Sequence, residues 1–201
     1  AQLGVERTLE ELEASLTHPG VIEFKKHIAA DWAVNLSGLV NLEHPTSKAA
    51  GLEDRMEPIQ IYTYSIKHPS FGTALIDSGV ASTFTDPATN QDVASPVKMF
   101  MGLEALDLHL DTAELNTQLG GIDAVFLTHI HLDHIMGLKD LDDSVKVYIG
   151  PGDAGATEFL NIATQSTTDN LLGNVSRLFE WQYSETGIID VFGDGSLWAI
   201  H

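Results

Sequence analysis

The stretch that most restricts what this chain can fold into is Ala124 to Leu138, AVFLTHIHLDHIMGL. Apolar residues from Ala124 to Leu127 read as a buried strand that ends at Thr128. His129, His131, Asp133 and His134 follow within six positions, and Gly137 comes soon after. In an extended chain successive side chains alternate faces, so His129, His131 and Asp133 share one face if the strand persists, and His134 points elsewhere. A turn must then bring His134 back, and Gly137 permits the close or unusual backbone such a turn needs. One loop of this kind feeds two adjacent ions, His129 with His131 at the first and Asp133 with His134 at the second. Imidazole nitrogen and carboxylate oxygen without thiolate suit zinc best, ahead of iron, manganese or cobalt. A lone His is more often a core or surface residue, but this spacing arises by chance on the order of once in a thousand such chains. It therefore points to metal chemistry before a merely polar loop.

At these residues the sequence resembles the metallo-β-lactamase superfamily, whose hallmark is a T-H-x-H-x-D-H loop after a buried strand. Thr128 to His134 matches that loop completely, and Leu75-Ile76-Asp77-Ser78-Gly79 is similar to the family's strand-end L-[IV]-D-[ST]-G signature. The resemblance spans residues 58–201. It implies an α/β fold, an αββα sandwich of which this chain holds the first half and the start of the second, with residues 1–57 as an N-terminal extension packed on the domain. It also implies that His129 and His131 bind the first metal, that Asp133 and His134 bind the second, and that Asp77 is a nearby orienting residue. Thr128 and Asp77 would hold the imidazoles in position. His131 argues against the diiron oxygen-reducing branch, which looks like H-x-E-x-D-H, and His134 argues for enzymes that use both metals.

Length and charge narrow the rest. The 201 residues suffice for one domain with a real core. No apolar run approaches the roughly 18 residues that span a bilayer, since Ile28 to Leu42 is interrupted by Asp31, Asn35 and Ser37. Cysteine is absent, which excludes disulfides and relatives that need a Cys ligand. Ten basic against 29 acidic side chains give a formal charge of −19, a field that repels phosphate backbones and anionic membranes. Neither nucleic acid nor a membrane is an expected partner. The acidic balance reads as a solvated surface, for which a high-salt setting would be one reason. The chain opens at Ala1 without a charged region followed by an apolar signal core, so cytoplasmic and exported placements both stay open.

Elements can be read in order. Thr8 and Glu11 have capping-box spacing before Leu9, Leu12 and Leu16, which predicts a short amphipathic helix over 8–17. Val21 to Leu42 mixes strand-like alternation with Phe24 and Trp32, the latter read as packed, and Glu43 to Glu57 reads as a surface loop with a short helical turn. Ile59 to Ile66 is apolar on both faces and predicts a central strand. A turn with a surface His68 and a returning strand from Thr73 to Asp77 follow. Gly79 to Lys98 is a long polar connection flanking Asp77, with Lys98, Met99 and Phe100 as candidates to line a substrate entry. Asp111 caps a helix that stops at Gly120-Gly121, and His109 before it reads as structural. Asp140, Asp142 and Asp143 read as a solvated acidic turn. Val145 to Ile149 is a strand, Asp153 to Gln165 a helix, and Ile188 to Phe192 with Leu197 to Ile200 a hairpin about Gly193-Asp194-Gly195-Ser196.

Two hydrolytic zinc ions take about three protein ligands each, and the loop supplies two for each. In the superfamily the others begin with a Gly-His pair shortly after a strand like Leu197 to Ile200, and this chain has no such pair. His201 is the one His after the motif, a candidate third ligand, though it sits in a strand pattern rather than a turn. A half sandwich exposes apolar sheet and strand edges, so the expectation is a fragment of a longer enzyme, or a piece completed by a C-terminal segment or second chain; a homodimer is also compatible. A completed site implies a metal-activated hydroxide attacking a carbonyl carbon, with Asp133 both binding metal and orienting the nucleophile. The N-terminal region and loop are similar to those of N-acyl homoserine lactonases, which places lactone hydrolysis, a quorum-quenching chemistry, first. Hydroxyacylglutathione-type thioester and β-lactam hydrolysis are the alternatives. A non-catalytic or incomplete metal-binding relative acting as a binding module is the alternative of another class.

Overall fold

Apolar residues on both sides of the alternation build short central strands, and longer half-apolar stretches build a ribbon beside them. The computed structural model describes residues 3–86, 90–153 and 159–201. In chain order its strands are β1 (Val5–Glu6), β2 (Glu23–Asn35), β3 (Met56–His68), β4 (Gly72–Ile76), β5 (Asp107–Leu108), β6 (Ala124–Phe126), β7 (Lys146–Ile149), β8 (Leu178–Glu180), β9 (Ile188–Asp190) and β10 (Trp198–Ile200). The helices are α1 (Leu9–Ser15), α2 (Pro45–Ala49), α3 (Ser95–Met101), α4 (Thr112–Leu119), α5 (Leu132–Ile135) and α6 (Phe159–Leu172). Seven strands form one sheet in the order β5-β2-β3-β4-β6-β7-β8, and β1-β9-β10 form a second. From β4 to β8 the large sheet is parallel, and such pairing requires crossovers. Helices α4, α5 and α6 lie on those connections.

Register fixes the layers. Leu75 pairs with Val125 and Val125 with Val147, and this row packs with Leu115, Leu132, Ile135, Leu138 and Leu171 on the helical side. Ala74, Ala124, Phe126 and Tyr148 face the other way, where Ile189 and Val191 of the small sheet's central region and Trp181 cover them. The Tyr148 ring lies 5.5 Å from Phe126 and 4.6 Å from Trp181. The result is an α/β layered molecule: helices, seven strands, three strands. Burial of both faces explains why these parallel strands read as continuous apolar runs. No helix among the described residues is long and apolar enough to cross a membrane.

Several expectations match in kind and shift at their ends. The Thr8 hydroxyl accepts the Glu11 N–H while the Glu11 carboxylate accepts the Thr8 N–H, closing the capping box of α1. Its apolar stripe is not covered, with Leu9 and Leu16 exposed. Asp111 caps α4, which ends where Gly120 takes φ +79°. Trp32 is packed, and its indole N–H donates to Gly102 O. β2 comes from the stretch set apart as an N-terminal extension, yet it pairs with β3 from Glu23 to Asn35 through a bulge between Ile28 and Ala30. In the connection after Asp77, residues 87–89 lie outside the described residues; Lys98 and Met99 sit on α3, Met99 exposed, and the Phe100 side chain also lies outside. The helix expected over Asp153 to Gln165 is found as α6, ending at Leu172, with 154–158 outside the described residues.

Two readings need correction. Asp140 is no solvated acid: its carboxylate accepts the Ser82 N–H at 2.7 Å, the Ser82 hydroxyl at 2.8 Å and the Ala113 N–H at 3.0 Å, fastening the loop after β4 to the start of α4. Asp142 and Asp143 are exposed as expected. His68 is not a surface residue either. Its ring stacks on Phe192 at 4.4 Å, accepts the Phe71 N–H through Nδ1, and meets Asp194 through Nε2 at 3.0 Å, stapling the small sheet to the β3–β4 turn.

Candidate metal centre

Strands β4 and β6 are parallel neighbours whose last pair is Ile76 with Phe126, so the residues after them emerge side by side at the carboxyl end of the sheet. Ligand sites in open α/β sheets lie at that end. The Asp77 N–H donates to Phe126 O, and the Thr128 N–H returns to Asp77 Oδ1 at 2.8 Å. Asp77 is the one non-glycine among the described residues with positive φ, at 56°. Asp tolerates that region better than most side chains, and the Thr63 hydroxyl holds the bent peptide by donating to Asp77 O at 2.6 Å. Strain of this kind collects at functional sites.

The extended path for the loop is overturned. β6 stops at Phe126, His131 is the N-cap of α5, and Asp133 and His134 lie in the helix. Leu132, Ile135 and Met136 recur at helical spacing and are all buried against the helical-side core, so a helical turn buries apolar area that continued alternation would expose. Asp133 therefore reaches the cluster from a helix, not from a strand face shared with His129 and His131.

The four motif side chains nonetheless come together. The His129 ring centroid is 4.5 Å from that of His131 and 3.9 Å from that of His134. His134 Nδ1 is 2.8 Å from Asp77 Oδ2 and its Nε2 is 3.2 Å from Asp133 Oδ2. The Thr128 hydroxyl donates to the Asp77 carboxylate and lies 3.1 Å from Nδ1 of both His129 and His134. Burial opposes charge on His134, but the Asp133 and Asp77 carboxylates outweigh it and push the ring's pKa up to about 10. Burial, reinforced by the charges of His134 and His131, pushes His129 down. For Asp133 burial acts upward, and the His134 hydrogen bond and charge overcome it to leave the carboxyl below its ordinary value. In this state a doubly protonated His134 bridges two carboxylates, a role open to imidazolium because both its nitrogens donate.

The other candidates lie elsewhere. His201 is exposed, its ring 5.2 Å from Tyr183 and its N–H on Gly187 O, so the structure does not bring it into the cluster. His109 pairs with Asp31 at 3.0 Å on the outer side of β2. The sequence reading also missed contributors. Ser78 is wholly buried against His134 and Gly137, although it stands inside the quoted Asp77 signature. Arg177, buried, donates to Leu172 O and Leu138 O and ties α6 to the turn after α5. Nothing in its local spacing signals that.

Three imidazoles and a carboxylate on neighbouring positions, free of thiolate, are the donor types of zinc and of iron or manganese sites. Among the described residues no three or more His, Asp or Glu side chains already surround one point. The donor types fit such a metal, and His134 would exchange an N–H for a metal bond on binding it.

Fold and site together define a layered α/β protein with a His/Asp loop at the carboxyl ends of parallel strands. The family model described as the metallo-beta-lactamase superfamily matches residues 57–195, and the chain belongs to that superfamily. No curated protein matches the sequence. Among solved structures it resembles a probable metal-dependent hydrolase from Staphylococcus aureus, at TM-score 0.57 and 17% identity over 85% of this chain and 64% of that one. A quorum-quenching N-acyl homoserine lactone lactonase gives TM-score 0.55 and 10% identity over 85% and 62%. An N-acyl homoserine lactone hydrolase with the product N-hexanoyl-L-homoserine at its catalytic metal centre gives 0.54 and 10% over 85% and 64%. At these identities the likeness concerns the fold, and this chain spans less than two thirds of each of those proteins.

Proposed function

We propose that this chain carries the metal-binding loop of a metal-dependent hydrolase acting on a small carbonyl substrate, a lactone first, with thioester and β-lactam substrates as the alternatives. The observation that carries the reading is the clustering of His129, His131, Asp133 and His134 beside one another at the end of β4 and β6, with the Asp77 carboxylate on the His134 ring. His129 and His131 would hold one zinc and Asp133 and His134 the other, iron or manganese being compatible with the same donors. When bound, such metals supply a nucleophilic water near neutral pH and a Lewis acid for the carbonyl oxygen. Asp133 would, beside holding metal, orient the water nucleophile by accepting its hydrogen bond. Asp77 fixes the His134 ring through Nδ1, and Thr128 fixes Asp77 and stands beside His129. Lactone is placed first because the fold is shared with proteins described as lactonases.

Each half-site has two protein donors here, and a complementing segment, a second chain or a homodimer would supply the rest. The second reading, a metal-poor binding module, is favoured by one observation: among the described residues no three donors are set around a point. Elemental analysis with turnover assays separates the two. Two zinc equivalents per chain, with lactone hydrolysis abolished by a chelator and restored by zinc, support the enzyme. A well-folded protein with no bound metal after zinc loading, and no turnover of lactone, thioester or β-lactam, overturns it.

A further inference from the structure

We infer that Ser78 is a positioning residue for His134, gripping its backbone while the preceding Asp77 grips its ring; this rests on the proposal that His134 is a metal donor. Helix α5 spans only Leu132–Ile135, and a helix that short does not hold itself together. Its final carbonyls also lack partners of their own. The His134 carbonyl is satisfied from outside, by the Ser78 N–H at 2.9 Å and the Ser78 hydroxyl at 2.8 Å. The same hydroxyl accepts the Gly137 N–H at 3.0 Å, so one oxygen spans the step from His134 to the turn after it. Ser78 is fully buried, where a lost partner is not replaced by water.

The grip is anchored independently. The Thr112 hydroxyl donates to Ser78 O at 2.6 Å, fastening Ser78 to the first turn of α4. A Cβ on Gly137 would sit 2.0 Å from Ser78 O, so the two backbones meet with no room between them. Asp77 and Ser78, consecutive at the end of β4, thus fix His134 at two points, Nδ1 at 2.8 Å and the carbonyl at 2.8 and 2.9 Å. Two-point fixing sets both the position of the backbone and the direction of the ring, which neither contact does alone.

The test compares Ser78→Ala with Thr112→Val, which removes the anchor bond and leaves Ser78's own bonds in place. Two readouts are taken on the whole chain: zinc affinity by calorimetric titration, and imidazole nitrogen–proton correlations of His134 in the metal-free protein. Ser78→Ala is expected to weaken zinc binding roughly tenfold or more, as loss of a ligand's supporting partner does, and to remove the slowly exchanging Nδ1–H signal. Thr112→Val is expected to lower the melting temperature while both readouts stay near wild type. If Ser78→Ala does not fold, Ser78→Cys, close in volume and a weaker donor, is read the same way. Unchanged zinc affinity with an unchanged ring signal in the Ser78 variants overturns the assignment, and so does an equal loss in Thr112→Val. If the wild-type chain takes up no zinc, the hydrolase proposal fails while the ring signal still decides the role of Ser78.

Discussion

The two halves of the seven-stranded sheet are built from similar residues and end in opposite situations. From β4 to β7 both faces are covered: Leu75, Val125 and Val147 are wholly buried toward the helices, while Ala74 and Phe126 are buried toward the small sheet. In the β2–β3 ribbon the helical face is covered, while the outer face is closed only toward the β3–β4 turn, where Ile66 is wholly buried and His68 stacks on Phe192. The ribbon's outer face shows Phe24 at 57% and Ile28 at 41% exposure. That face satisfies itself locally: Phe24 stacks on Tyr64 at 5.4 Å, Lys26 sits over Tyr62 at 3.8 Å, and Tyr62, Gln60 and Asp31 are joined by hydrogen bonds. Cross-strand pairs of this kind contribute a few tenths to about 1 kcal/mol each, far less than burial of a large side chain. The His/Asp loop emerges from the doubly covered half, where the strand ends have little freedom. Position, more than donor identity, is what that half contributes.

The largest expected effect tests this claim at the loop's tightest contact. Gly137→Ala puts a methyl 2.0 Å from Ser78 O and 2.3 Å from the Thr112 hydroxyl, against backbone that cannot step aside. Loss of about 4 kcal/mol or more in urea denaturation is expected, in the range reserved for gross steric conflict, together with loss of zinc uptake. Next, Phe126→Ala opens a hole among Tyr148, Trp181 and Phe192 and is expected to cost about 3 to 5 kcal/mol. A cost under about 1 kcal/mol there would erase the distinction between the halves. Asp77→Asn keeps the shape and removes the charge facing His134 Nδ1. It is expected to leave the fold near wild type and weaken zinc binding roughly 10- to 100-fold by calorimetry.

How much of this was legible in the sequence follows the range of the forces involved. Donor types and spacing lie within six positions, and the α1 capping box and the α4 stop are local, so they can be read directly. The pattern 129/131/133 was compatible with a strand, but Leu132, Ile135 and Met136 carried a helical stripe through the same residues, and burial chose it. β1, β5 and β8 have two or three residues each and exist through partners far away: Val5 with Asp190, Leu108 with Ala30, Leu178 with Val147. No local period announces such strands. Asp140 likewise found Ser82 and Ala113, and Ser78 found His134, across separations that a linear reading does not span.

The exposed half supplies the smaller effects. Phe24→Ala removes a ring already 57% exposed, so a loss of less than about 1 kcal/mol is expected in the same urea experiment used for Phe126, close to the worth of one cross-strand aromatic pair. A loss near that of Phe126→Ala would mean that the outer face is covered in solution, and sedimentation of the wild-type chain would then show an assembly.

The smallest effect lies on the other side of the same strand. His27, between the outward Lys26 and Ile28, is buried at 7% exposure and its Nε2 meets the Ser65 hydroxyl at 2.9 Å. Burial, with the charge of Lys25 acting the same way, pushes its pKa below the ordinary value. The unfolded chain then binds the proton more readily than the folded one, so this group's contribution to stability is present above its unfolded pKa of about 6.5 and is lost as pH falls below it toward the folded value. His27→Gln keeps a hydrogen-bonding group near Ser65 and does not titrate. Urea midpoints measured between pH 7.5 and pH 5 are expected to fall less steeply in the variant than in the wild type. Parallel profiles would show that His27 takes up its proton as readily in the folded chain as in the unfolded one, and that the inner face of the ribbon is as open to water as the outer.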